Sequence, residues 1–529
     1  MAETARAHRT HIDPWPGAWL VLAAVTLLVH LAAARGYGFF RDEFYYLACG
    51  RHLDWGYVDH PPLIALVAWF ADRVLRGSIV AVRLIPALAH AALVVATMAV
   101  ARRLSGGLAA QVLAGLAALL GPVYLGAAST LNMNPMDQLL WTLCLLVLIG
   151  AVAREPGAGF TATPGATAPG PPLRAWLLFG ALGGLGLLNK HSLAFFVAAL
   201  GAGLLISPQR RWLRAPGPWI ALGLAFAIAS PNAIWEIAHG WPTLEFLRNA
   251  AEKKNYAGAP LEFTVAQAIV IHPINALLAL VGLAGLFVRR DLARFRFVAW
   301  TFVATFALLL ALKAKHYYLA PAYPPLFAAG AVTLERLGTR GRALAIGFAV
   351  VLVLLAAPFV PAVLPLLPPE RYLAYTRALH VPQPQSERHR MGPLPQQFAD
   401  MFGWPELAAQ VANVVHALPP EEQKRCVVFA SNYGEAGALQ WYGRGLEMPP
   451  VGSGHNNYFL WGPPDTNATV VVTVGEDSSD VAESFYDVRP AGVFHHPYVM
   501  PYENDLTLYV GRRPRMTWRQ IWPFTKKYI

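Results

Sequence analysis

Apolar runs close to the ~20 residues that an α-helix needs to cross a bilayer recur along the first 365 positions of this chain of 529 residues. They lie near 19–34, 79–101, 106–125, 136–153, 174–189, 192–207, 217–235, 267–288, 296–312, 318–335 and 342–364. Only 14% of residues are charged, against about a quarter in an average soluble chain, and mean hydropathy is +0.40. A cytosolic enzyme, a disordered chain and a collagen-like repeat are excluded. The expectation is a polytopic α-helical membrane protein with about eleven transmembrane helices over residues 1–365 and a polar remainder, 366–529. Nothing near the start resembles a short apolar region followed by a small-residue cleavage site, so no cleaved signal is expected.

Charge supplies the sidedness. Residues 1–369 carry 28 Lys+Arg against 15 Asp+Glu, whereas 370–529 carry 14 against 16. The excess belongs to the membrane part, which points to loop topology rather than nucleic-acid binding. With the N-terminus inside, sixteen basic and five acidic residues face the cytoplasm; twelve and ten face out. That imbalance places the N-terminus in the cytoplasm and 366–529 outside it. The chain is therefore expected to be multi-pass, with the C-terminal part extracytoplasmic.

Residues 156–173 are Gly/Pro/Thr-rich with no apolar period and read as a cytoplasmic connection. The first external loop, 36–78, is too polar to span, and 62–76 suits an amphipathic helix at the interface. In the tail, 426–430, 469–474 and 506–510 are strand-like and 405–417 and 435–442 helical, so a small extracytoplasmic α/β domain is expected. Cys49, Cys144 and Cys426 are too few for a disulfide framework or thiolate metal site; a Cys49–Cys426 bridge requires an oxidising compartment.

On this topology the polar outliers share one face: Arg41-Asp42-Glu43, Asp59-His60, Asn132-Asn134-Asp137, Lys190-His191, Glu236-His239, His272 and Lys313-Lys315-His316-Tyr317-Tyr318. Ionisable groups near a bilayer are costly and each calls for a reason. A cavity with carboxylates on one wall and ammonium groups on another would suit a phosphate-linked sugar on a lipid carrier. The acid would take the proton of an acceptor hydroxyl, and the lysines would stabilise the leaving phosphate. No Gly-rich phosphate loop or Rossmann pattern favours nucleotide sugars.

At these residues the chain resembles a family. FRDEFYYLACGRHLDWGYVDHPPLIAL (39–66), Asp137 near the start of the fourth span, GLGLLNKHS (184–192), SPNAIWEIAHGWPTLEFL (230–247) and KHYYLAPAYPPLFAAG (315–330) follow the order of motifs in polyprenyl-phosphate-dependent glycosyltransferases of the GT-C superfamily. The similar branch is the bacterial family-39, protein-mannosyltransferase-like one, which includes the lipid A aminoarabinose transferases. The resemblance covers about 15–340. It implies a GT-C fold, two interfacial helices in the first external loop, an outer-face active site, and a polyprenyl-phosphate sugar donor with a glycolipid, glycan or protein acceptor. By position Asp42 matches the catalytic acid, with Glu43 beside it. His60 stands where the lipid A enzymes usually have Lys. No family motif covers 370–529.

Each residue also has a plain structural reading. Asp42 suits an N-cap. Glu43 suits a positioning or metal-binding neighbour. Asp59-His60 before two prolines suits a turn, and Asp137 after Pro135 suits a helix first turn. Lys190 and His191 interrupt two short apolar helices, which favours phosphate binding. Lys313, Lys315 and His316 suit snorkelling at a span end, and Tyr317, Tyr318 and Tyr323 an aromatic belt. Asp42, Glu43, Asp59, His60 and His316 offer ligands for a divalent metal ion, but no spacing fixes one. The alternative class, a lipid-linked-glycan transporter or flippase, calls for paired broken helices in each half; one interruption, near Lys190, is visible.

Overall fold

Each of the eleven apolar runs is helical in the computed structural model, which describes residues 16–153, 170–254, 259–381 and 389–529. The connection expected at 156–173 lies outside the described residues as far as 169. In chain order the helices are α1 (Pro16–Ala33), then α2 (Arg41–Arg51) and α3 (Leu63–Arg73) in the first loop. Next come α4 (Ile79–Arg103), α5 (Leu108–Leu120), α6 (Pro122–Ala127), α7 (Asn134–Ala153), α8 (Leu173–Asn189) and α9 (Leu193–Ile206). They are followed by α10 (Pro216–Ala238), α11 (Pro242–Asn249), α12 (Pro260–Ile271), α13 (Pro273–Val288), α14 (Arg296–Ala311), α15 (Pro324–Glu335) and α16 (Gly341–Ala356). Among the described residues five helical segments are long and apolar enough to cross a membrane, or up to seven if each bent pair is one span. The shorter apolar helices include α5 and α8.

Two runs depart from the single spans expected. The run 106–125 is split at Gly121-Pro122 into α5 and α6. The run 267–288 is bent by 107° between α12 and α13. Proline at 273 disfavours helical backbone at the residue before it, and His272 accordingly sits at φ 80°. The interruption near Lys190 is therefore accompanied by a second break.

The first loop folds as two helices in close contact. α3 buries Ile64, Ala65, Ala68 and Ala71 and exposes Leu66, Trp69 and Phe70, the apolar outer face expected of an interfacial helix. A Cβ at Gly50 would sit 2.7 Å from the Trp69 backbone nitrogen, so only glycine allows α2 this close.

Beyond helix α17 (Pro369–Ala378), the tail contains α18 (Trp404–His416), β1 (Cys426–Ala430), α19 (Tyr433–Tyr442), β2 (Val451–Gly452), β3 (Val470–Val474), β4 (Phe485–Phe494) and β5 (Leu506–Pro514). The strand order is β2-β1-β3-β5-β4. β1 is parallel to both neighbours, with Val428 opposite Val451 and Val472; β5 is antiparallel to β3 and β4. Side chains alternate across a strand, and the two faces have different cores. Val427 and Val471 pack with Phe485, Trp518 and Trp522. Val428 and Val472 share a core with Leu407 and Val411 of α18, Leu439 of α19, and Phe44, Tyr45 and Leu47 of the first loop. Cys49 and Cys426 are both buried in that shared core, yet all three cysteines are free; the Cys49–Cys426 bridge considered from sequence is absent.

Candidate active site

The shared core fixes the start of α2, and the two adjacent acids there are treated differently. Glu43 is fully buried. Its Oε1 accepts from Arg83 Nε (3.1 Å) and Leu131 N (2.9 Å), and its Oε2 from Arg83 Nη2 (2.9 Å) and Phe40 N (2.8 Å). Both oxygens are committed to joining the first loop, α4 and the turn before α7. Phe40 holds the N-cap position, so the helix-capping reading given to Asp42 passes to Glu43. Asp42 keeps a side chain 30% exposed. Its Oδ1 accepts from the Tyr433 hydroxyl at 2.8 Å, and among the described residues Oδ2 has no hydrogen-bond donor.

Asp59 and His60 lie in an aromatic box. The Tyr45 hydroxyl donates to Asp59 Oδ1 at 2.7 Å. The fully buried His60 ring stacks on Tyr57 at 4.6 Å and meets Tyr45 and Tyr46 edge-on. Its Nδ1 pairs with the Pro61 carbonyl, while among the described residues Nε2 has no hydrogen-bond partner. Burial raises the Asp59 carboxyl, opposed by His60 and the Tyr45 hydroxyl. Burial also holds the His60 imidazole below its usual range, with Asp59 pulling it back and His191 pushing the same way as burial. His60 therefore feels the charges of Asp59, His191 and Asp42, and Asp59 those of His60 and Asp42.

Lys190 and His191 stand at the α8–α9 break. Lys190 Nζ donates to Asn134 Oδ1 at 2.7 Å and lies 4.5 Å from the Tyr318 ring centre and 5.7 Å from that of Tyr317. Here a lysine rests on aromatic faces and keeps donors for an anion. His191 Nε2 pairs with Asn232 Oδ1 at 3.1 Å, and Asn232 donates to the Trp55 carbonyl of the first loop. Asp137 is buried and bound at both oxygens, by Trp141 Nε1 and the Ser192 hydroxyl, each at 2.9 Å. That geometry ties α7 to the same break. Lys315 adjoins the Tyr317-Tyr318 pair of rings, its carbonyl accepting from Tyr318 N at 3.0 Å. Lys313 and His316 instead line a separate cavity of about 90 Å³ with Glu262 and Phe263. His272 packs on Phe359, apart from the cluster.

Tail residues that the sequence left without a role also enter the site. Asn457 Oδ1 accepts from Val58 N at 2.6 Å and from the Tyr45 hydroxyl at 3.4 Å. Arg41 donates to the Tyr502 and Tyr433 hydroxyls and lies 4.0 Å from Asp400. The capping pattern Asn432-x-x-Glu435 was legible; its contact with the first loop was not. Among the described residues no group of three or more His, Cys, Asp or Glu is placed to hold a metal ion, so Asp42, Asp59 and His60 do not make up a ligand set.

Solved structures share this architecture. ArnT from Cupriavidus metallidurans bound to undecaprenyl phosphate is similar with a TM-score of 0.58 and 16% identity, covering 94% of this chain and 98% of that one. Its apo state gives 0.55 over the same shares. This chain is thus a helical membrane protein of GT-C fold, and its resemblance to the polyprenyl-phosphate-dependent glycosyltransferases holds. Residues 59–235 match the family described as dolichyl-phosphate-mannose-protein mannosyltransferase. More particularly, the chain is 27% identical over 274 residues to lipid A galacturonosyltransferase RgtD of Rhizobium johnstonii, across 50% of this chain and 53% of that protein. The chain spans about half the length of that curated relative.

Proposed function

We propose that this chain transfers a sugar from a polyprenyl-phosphate donor to an acceptor hydroxyl at the outer face of a bacterial inner membrane, by one inverting displacement with Asp42 as general base. The observation that carries it is the contrast among the acids. Glu43 and Asp137 have both oxygens engaged by protein donors. Among the described residues Asp42 has one oxygen oriented by Tyr433 and the other without a protein donor.

The acceptor O–H gives its proton to Asp42 as its oxygen bonds to the anomeric carbon. The bond from that carbon to the phosphate oxygen breaks, and polyprenyl phosphate leaves with the electron pair. A phosphate needs no acid to depart; the missing function is a base, typically worth ~10²–10⁴ in rate. Lys190, with Lys315 nearby, supplies positive charge for the departing phosphate, in keeping with its place on Tyr317 and Tyr318. Glu43 is assigned to positioning, and Asp59, His60 and His191 to the wall beside the sugar. The N-terminus is assigned to the cytoplasm and 366–529 to the periplasm on the basic imbalance. The name of the curated relative supports a glycolipid acceptor.

The test is release of free polyprenyl phosphate from a lipid-linked sugar in the presence of acceptor. Asp42→Asn should keep folding and donor binding and lose 10²-fold or more of turnover, on the order expected for a lost base. Turnover near wild type in Asp42→Asn refutes the assignment.

A further inference from the structure

We propose that Tyr433, on the first turn of α19 in the tail, is a positioning residue for Asp42. The C-terminal domain would thereby complete the active site rather than merely cover it. The inference rests on the reading of Asp42 as the base.

The hydrogen bonding has a direction. Arg41 Nη2 donates to the Tyr433 oxygen at 3.4 Å, and the Tyr433 hydroxyl donates onward to Asp42 Oδ1 at 2.8 Å. The phenol's proton therefore points at the carboxylate, fixing one oxygen and leaving the other for the acceptor. Burial pushes the Tyr433 phenol far above the usual tyrosine range, so it stays a donor throughout any working pH. The ring has little freedom, stacked on Tyr45 at 4.6 Å and against His455 at 4.7 Å.

The backbone is built for this approach. Asn432 Oδ1 caps α19 by accepting from Gly434 N and Glu435 N. A Cβ on Gly434 would lie 2.1 Å from Arg41 Cγ, and one on Gly437 2.7 Å from Phe44 Cβ. Two glycines three apart face α2 on one side of the helix, and their missing side chains let Tyr433 reach Asp42. A lid that only shed water would not require glycine at both positions. The other groups whose charge Asp42 meets are Arg41 on α2, whose Nε is 3.7 Å from Oδ1, Asp59 and His60 in the loop, and the Tyr46 phenol.

The experiment measures turnover against pH in purified full-length protein for wild type, Tyr433→Phe and Asp42→Asn. Phenylalanine keeps the ring stacking and removes the donor. Expected are a kcat lower by roughly 10- to 100-fold, the worth of one hydrogen bond to a charged group, and a donor KM within about twofold. The acid limb of the profile should move to higher pH, because losing a donor disfavours the charged carboxylate. Replacing Tyr433 by 3-fluorotyrosine, a stronger donor of nearly the same shape, should move that limb the other way and keeps the test alive if Tyr433→Phe does not fold. An unmoved acid limb in both variants, with Asp42→Asn inactive, overturns the role of Tyr433 alone. An active Asp42→Asn overturns the reading of the base beneath it.

Discussion

Glu43→Gln is expected to be a folding defect, not a chemical one, and the structure sets its size. Glu43 accepts four hydrogen bonds at 2.8–3.1 Å, two from Arg83 and two from backbone N–H groups. A glutamine carries one acceptor oxygen and one NH₂, so in either rotamer two donors lose their acceptor and face another donor. Arg83 is 2% exposed and would retain a buried charge without its partner. It would keep one bond, to the glutamine oxygen, beside those to the carbonyls of Ala34 and Gly38. Breaking a buried pair from one side costs about 3–5 kcal/mol. The assay is retention of the monodisperse peak after graded heating in detergent, alongside turnover. Glu43→Gln should aggregate at clearly lower temperature and lose activity in proportion to folded protein, whereas Asp42→Asn should heat like wild type and be inactive. A Glu43→Gln protein that heats like wild type, binds donor and fails to turn over would refute the reasoning and return the chemistry to Glu43.

Lys190→Ala should lower kcat/KM for the donor by about 10- to 100-fold, as for one lost charged hydrogen bond, whereas Lys313→Ala, beside Glu262, should change it less than twofold; steady-state kinetics with varied donor decides, and unaltered values for Lys190→Ala and Lys315→Ala together would remove the basic wall. In the tail, burial and the charge of Asp400 raise the Glu503 carboxyl to about 7 against the pull of Arg41, and burial with Glu503 raises that of Glu435. A carboxyl raised in the folded state adds stability that is complete below its unfolded value near 4.5 and is lost as pH climbs through about 7. Glu503→Gln should therefore flatten the fall in unfolding temperature between pH 5 and 8, and parallel wild-type and mutant curves would contradict this. Reporter fusions after Arg290 and Arg340 should read cytoplasmic and one after Leu379 external; the opposite pattern would put the proposed site on the wrong face.

Much of the architecture was written in local pattern. Apolar runs of about span length can satisfy their backbone in lipid only as helices, and each became helical, 106–125 and 267–288 in two pieces. The valines of 426–430 and 470–474 became the buried parallel strands. The break at His272 had its signal too, in the proline that follows, although the unbroken apolar character of 267–288 outweighed it. Sequence also gathered Asp42, Asp59, His60, Lys190 and His191 into one neighbourhood, because ionisable residues at span ends have few other places to go. It could not rank them. Whether an acid is a base or a brace depends on how many donors surround it. Those donors come from Arg83, Leu131 and Ser192, 40, 88 and 55 positions away from the acids they hold. Tyr433 lies 391 positions from Asp42, and no local period links them. Hydrogen bonds over such separations depend on packing between elements, so only the tertiary structure could show that the tail reaches Asp42 and that protein donors engage both oxygens of Glu43.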